Sequence, residues 1–270
     1  MHVRLRIAFL LCFLAMRAAG QGFPSDTSHH FRLTALVGYG SIASYDNFGS
    51  PLPYSGVTVP IGGEIEYITP NVRHLFSVVG ITSVGNATNL TNQYSDNATD
   101  YNNASYAFAD VRYRFTHYLT DLGSTGIHLS IGGEWDNVAF IRGYNYEEDF
   151  NTESGSGEFS SSLAVAADLT YERENIHFFT ASVSLPIVAF VLRPAYGLTS
   201  GNNYELEEGF EPIGTMWSWR IGIDYDYQLS SVLLLGLHFE ELYYNYPMQL
   251  WRGVGAENDL TIAGTWRFNL

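Results

Sequence analysis

The sequence predicts an all-β fold: an antiparallel up-and-down barrel that crosses a membrane with about ten strands, within a range of roughly eight to twelve. Three observations predict it. Ten segments alternate apolar and polar residues, the pattern of strands whose side chains point to opposite faces. Short and long connections alternate between those segments. The final segment, Leu260–Leu270, alternates to its last residue, with Leu260, Ile262, Gly264, Trp266, Phe268 and Leu270 on one parity. A closing strand must keep such a pattern, because it pairs with the first strand and leaves no edge.

The N-terminus reads as a leader, giving a signal segment 1–20 and a single barrel domain 21–270. Arg4 and Arg6 precede the apolar run Ile7–Met16, and Ala18, Ala19 and Gly20 supply small residues for cleavage before Gln21. That run is about half of a spanning helix, and no later apolar run reaches about 18 residues. Cys12, the one cysteine, lies inside the leader, so the remaining chain has no thiol for disulfides or thiolate metal sites. All 13 basic residues are arginine, against 28 acidic ones. Loss of Arg4, Arg6 and Arg17 takes the formal charge from −15 to −18, which disfavours nucleic acid as a partner.

The expected strands, in order, are Phe31–Gly40, Pro60–Thr69, Val72–Val84, Ala104–His117, Gly126–Arg142, Glu158–Glu172, Asn175–Leu185, Gly214–Tyr227, Val232–Tyr244 and Asn258–Asn269. Turn chemistry at Thr69-Pro70-Asn71-Val72, Tyr118–Thr125, Arg173-Glu174 and Gln228–Ser231 marks the short connections. The long ones are Ser41–Val59, Gly85–Asn103, Gly143–Gly157, Pro186–Ile213 and Asn245–Glu257. The Gly214–Tyr227 segment carries Trp217, Trp219, Ile221, Ile223, Tyr225 and Tyr227 on one parity, aromatic at both ends. Ten residues at about 3.3 Å, tilted roughly 40°, project to about 25 Å, the height of a barrel's apolar band. The parity from Phe159 to Tyr171 gives a similar span. These aromatics, with Trp266 and Phe268, suit the membrane interfaces, where an apolar ring with a polar tip is at home. A water-soluble sandwich or lipocalin-like barrel also alternates, but its apolar face would turn inward.

If the apolar parity faces lipid, the other fills the lumen. It brings Arg32, Glu64, Glu66, Asp110, Arg112, Arg114, His128, Glu134, Asp136, Asp168, Arg220, Asp224, Asp226, His238, Glu240 and Arg267 together. Buried charges must pair, and the arginine fork suits carboxylates. One reading is a packed, ion-paired plug. The other is a narrow, acid-lined conduit of mild cation selectivity.

Enzymatic chemistry is a third possibility. Glu64 and Glu66, Asp224 and Asp226, and His238 and Glu240 each stand two apart on one face. The omptin proteases, ten-strand barrels, use carboxylates with an Asp/His pair. Their site lies at the outer rim, whereas Asp224 and Asp226 adjoin a short turn, so only a dipeptide pattern is shared. Ser130, Ser160, Ser162, Ser182, Ser184 and His128 permit a lipid-hydrolase arrangement, without singling out a nucleophile.

Among the loops, Asn86, Asn89, Asn97 and Asn103 begin sequon-like triplets in a polar stretch. Two acidic runs, 146–153 and 204–211, lack the spacing of an EF-hand. Divalent bridging of these runs to lipopolysaccharide phosphates is one use for them, and surface binding of an adhesin type another. Pro186 and Pro194 bound an apolar stretch that either continues the seventh strand past a bulge or folds over the barrel mouth. In leader, alternation, closing strand and this stretch the chain resembles small outer-membrane β-barrel proteins of Gram-negative bacteria, over most of its length. The resemblance implies insertion by the barrel-assembly machinery and contact with outer-membrane lipids, and it carries no motif of known activity. The expected protein is a monomer of porin-like form with no cofactor and no metal.

Overall fold

In the computed structural model, residues 29–46, 50–87, 103–123, 126–145, 154–195, 205–212, 217–247 and 252–269 are described. The expected leader and the acidic run 146–153 lie outside them. Eleven strands are formed: β1 (His30–Asp46), β2 (Ser50–Ile68), β3 (Val72–Ala87), β4 (Asn103–Asp121), β5 (Ile127–Asn145), β6 (Ser154–Arg173), β7 (His177–Ala195), β8 (Glu205–Pro212), β9 (Trp217–Gln228), β10 (Leu233–Pro247) and β11 (Arg252–Asn269). Every pairing is antiparallel. β1 pairs with both β2 and β11, and β6 with β7, so the ring is closed and only ten staves are needed. β7 takes β9 along its first half (His177↔Tyr227 to Ser184↔Arg220) and β8 along its second (Val188↔Pro212 to Ala195↔Glu205). β8 and β9 are therefore two lengths of one stave.

The strands run further than the alternation predicts, and mostly toward the long connections. Pro60 does not start a strand; it lies inside β2. The β1–β2 ladder skips from Val37↔Ile61 to Gly40↔Thr58, which places the residue without an N–H where no bond is asked of it. The expected connection Pro186–Ile213 is corrected most. β7 continues to Ala195 and β8 occupies Glu205–Pro212. Opposite β6 the register slips between Leu163↔Val188 and Ala164↔Pro186, so Ile187 is the extra residue of a bulge.

The short connections are tight. The turn at Arg173–Ile176 closes with Ile176 N–H donating to Arg173 O at 3.1 Å, and Glu174 and Asn175 both have positive φ (59° and 54°). These are the signs of a type I′ hairpin, whose twist matches the strands it joins. At Thr69–Val72 the threonine N–H donates to Val72 O (2.8 Å), and its hydroxyl accepts from Val72 N–H (3.0 Å).

The exterior is an apolar band. Val37, Ile61, Trp135 and Ile262 are each more than half exposed, as only lipid-facing residues of this size can be without cost. With each stave paired to a neighbour on both sides round the ring, the backbone bonds of the wall are made within the barrel, as closure in a membrane requires. The interior differs from an evenly polar lumen. Toward the long connections it holds an apolar cluster of Leu36, Ile42, Tyr54, Val79, Ile81, Tyr106, Phe108 and Phe140. Charge is concentrated in the middle and toward the short turns.

Candidate functional site in the lumen

Seven staves contribute to one chain of charge. Arg32 on β1 reaches Glu66 on β2 (3.3 Å), and Glu66 also takes Arg73 of β3. Arg73 continues to Asp168 on β6 (3.3 Å), and Asp168 accepts from Arg114 on β4 (2.7 Å) and from the Thr116 hydroxyl (3.1 Å). Arg114 reaches Glu134 on β5 (2.7 Å), which accepts from the Ser184 hydroxyl on β7 (2.7 Å). Arg114, Glu134, Asp168 and Ser184 are all buried. Each carboxylate so placed has at least two donors, the condition under which buried charge is tolerated.

A second cluster crosses the barrel above it. Asp110 forms ion pairs with Arg220 (2.9 Å) and Arg112 (3.3 Å), and Arg220 also reaches Asp136 (3.1 Å). Glu240 receives Arg112 (2.6 Å) and Arg220. Glu240 is thereby committed to arginines and not to His238, its neighbour two residues away. His238 instead turns to β9, with Nε2 3.0 Å from Asp226 and Nδ1 3.8 Å from Asp224. The Thr261 hydroxyl donates to the His238 carbonyl (3.5 Å), no hydroxyl bonds the His238 imidazole among the described residues, and the group sits in the half of the barrel nearer the short turns. This arrangement pairs the imidazole with the carboxylates of β9.

Of the remaining sequence-derived positions, Glu64 lines the central cavity beside Arg73 and His238. His128 lies against Asp121 at the rim (2.5 Å), and the Arg267 guanidinium is 2.8 Å from Nε2 of His30. On the outer wall Trp219 stacks on Tyr243 (4.1 Å), Tyr171 meets Phe179 and Tyr225 meets Phe179 (4.8 Å). Phe159, Tyr227, Trp266 and Phe268 are exposed there. The Trp217 side chain lies outside the described ones.

Three lumenal carriers of charge add to those expected: Arg73, Glu257 and Asp259. Asp259 accepts from the Thr58 hydroxyl (2.7 Å), and a Cβ on Gly40 would collide with both. Glu257 lies in the early part of β11, which begins six residues before the expected start at Asn258, whereas Asp259 falls inside the expected strand on the parity of Thr261. The space left among these side chains is small. One cavity of about 70 Å³ lies in the middle of the lumen, and another of about 40 Å³ lies between Phe108, Phe140 and Leu242.

No family model matches the chain. No curated protein matches it either. Solved structures with similar chain paths include the outer-membrane protease OmpT from Escherichia coli, at 10% identity over 92% of this chain and 98% of that one, with a TM-score of 0.49. The transport unit of the autotransporter AIDA-I from Escherichia coli is 10% identical over 94% and 95%, with a TM-score of 0.40. The β domain of the Bordetella autotransporter BrkA is 7% identical over 89% and 99%, with a TM-score of 0.39. At these values the similarities bear on no activity; the closed ring and its apolar exterior define the fold.

Proposed function

We propose that the chain is a bacterial outer-membrane barrel, exported with a cleaved leader, whose lumen is shut by its own ion-paired side chains. Its role is structural: a rigid cylinder that carries the long connections, with no open conduit. The observation behind this reading is the unbroken run of contacts from Arg32 to Ser184, beside cavities of about 70 and 40 Å³. Those spaces hold a few waters. A conduit needs continuous width instead. The reading includes a monomer, assembly by the barrel-assembly machinery through the closing strand, and contact with lipopolysaccharide and phospholipid.

Single-channel recording in planar bilayers tests it. The protein should show no conductance over a range of voltages, while Arg114→Ala combined with Asp168→Ala should open measurable current. Steady current from the unaltered barrel would reject the shut lumen and favour the small-solute channel. Export has its own check: the mature chain should begin at Gln21 by intact mass and fractionate with the outer membrane.

A further inference from the structure

The barrel's outer wall near the short turns carries a repeated pair that the lumen does not explain. His74 shares the outward parity of β3 with Phe76 and Val78, both exposed, and its Nδ1 lies 2.8 Å from the hydroxyl of Tyr113. His177, the first residue of β7, places Nδ1 3.0 Å from the hydroxyl of Tyr225 on the outward face of β9. His29, just before β1, places Nδ1 3.1 Å from the hydroxyl of Tyr67. The rings form two arcs. One runs from His29 to Tyr67, His74 and Tyr113 with centroids 6.1 to 6.3 Å apart. The other sets His177 against Tyr225 (6.1 Å) and Tyr227 (5.4 Å).

The shared geometry fixes the chemistry. A phenol hydroxyl is the better donor of the two and an imidazole nitrogen the better acceptor, so each tyrosine donates to Nδ1. A neutral ring whose Nδ1 accepts carries its proton on Nε2. Each pair therefore presents an Nε2–H donor, and these three Nε2 atoms have no hydrogen-bond partner among the described residues. They stand in the girdle of aromatics that marks a membrane interface, where the available acceptors are lipid headgroup oxygens. Among the described residues no arginine stands on this wall at that depth. The chain has no lysine, and near the short turns Arg32 and Arg73 point into the lumen while Arg173 extends from a turn toward Glu174 (3.4 Å).

The geometry points to these two arcs as binding sites for the phosphate of phospholipid headgroups in the leaflet at the short-turn end, held by Nε2–H of His29, His74 and His177. The tyrosines are positioning residues, which set the tautomer and aim the ring. This inference rests on the membrane reading of the wall but not on the state of the lumen.

Native mass spectrometry of the full barrel, released from micelles containing phosphatidylglycerol or phosphate-free digalactosyldiacylglycerol, tests it. The unaltered protein should retain phosphatidylglycerol at least about tenfold more strongly, the scale of one hydrogen bond to a charged acceptor. His29→Phe, His74→Phe and His177→Phe together should bring retention down to the galactolipid level, with heat-modifiable gel mobility confirming a folded barrel. Tyr113→Phe with Tyr225→Phe should lose part of the preference while keeping every imidazole. Equal retention of both lipids, or unchanged preference in the histidine variant, overturns the proposal. If that variant does not fold, through-space magnetic transfer from Nε2–H to lipid phosphorus in nanodiscs of the unaltered protein decides. Its absence overturns the site. A barrel that never entered micelles or nanodiscs as a folded species would instead refute the membrane reading.

Discussion

Arg114 is the residue on which the lumen turns, because one guanidinium holds Glu134 and Asp168 together, each at 2.7 Å. Arg114→Met leaves two buried carboxylates short of a cation and should destabilise the barrel by about 3–5 kcal/mol. Arg114→Met combined with Glu134→Gln and Asp168→Asn should recover much of that loss, since it is uncompensated charge that costs. Urea unfolding of the two variants in detergent measures the difference. Gly40 gives a second test at this scale. Any side chain there runs into Asp259 and Thr58, so Gly40→Ala should cost about 1–3 kcal/mol, as overpacking does, although the alternation marks Gly40 only as a strand end. Arg73 shows why such residues are hard to read from the chain. On β3 both parities are apolar, Phe76 and Val78 outward against Leu75, Val79 and Ile81 inward, because the lumen's outer half is itself an apolar core. Alternation is silent where both faces are greasy.

At the scale of elements, hairpins and the bulge carry the predictions. Asn175 holds φ of 54° without being glycine, so Asn175→Gly should stabilise the β6–β7 hairpin by up to about 1 kcal/mol, read as a higher unfolding temperature. In β7, Leu185 and Ile187 face outward before the bulge, whereas Ala189 and Val191 face inward after it. Deleting Ile187 leaves those facings in step, and the barrel should still form. Deleting Ala189 turns Phe190 toward the lumen and should abolish the folded band on unboiled gels. The two prolines flanking this stretch suggested either a bulge or a mouth-covering loop. The bulge is what the pairing with β6 and β8 selects, and no local signal could choose, because each option satisfies the same apolar residues.

For the whole molecule, closure is the decisive property. β11 pairs with β10 on one side and with β1 on the other, from His30↔Asn269 to Asp46↔Gly253. Truncation before Leu260 should leave two open edges and no heat-modifiable species, whereas Phe268→Ala alone should slow assembly and still yield a barrel. The wall and its ten staves follow from the sequence, because alternation and turn chemistry are local quantities. What only the tertiary structure decided is which charge meets which: Arg112 and Glu240 are 128 residues apart, and Arg114 and Asp168 are 54 apart. Parity places every one of them in the lumen. Only the register between neighbouring staves sets their heights, and height determines whether a carboxylate meets an arginine, a histidine or another carboxylate.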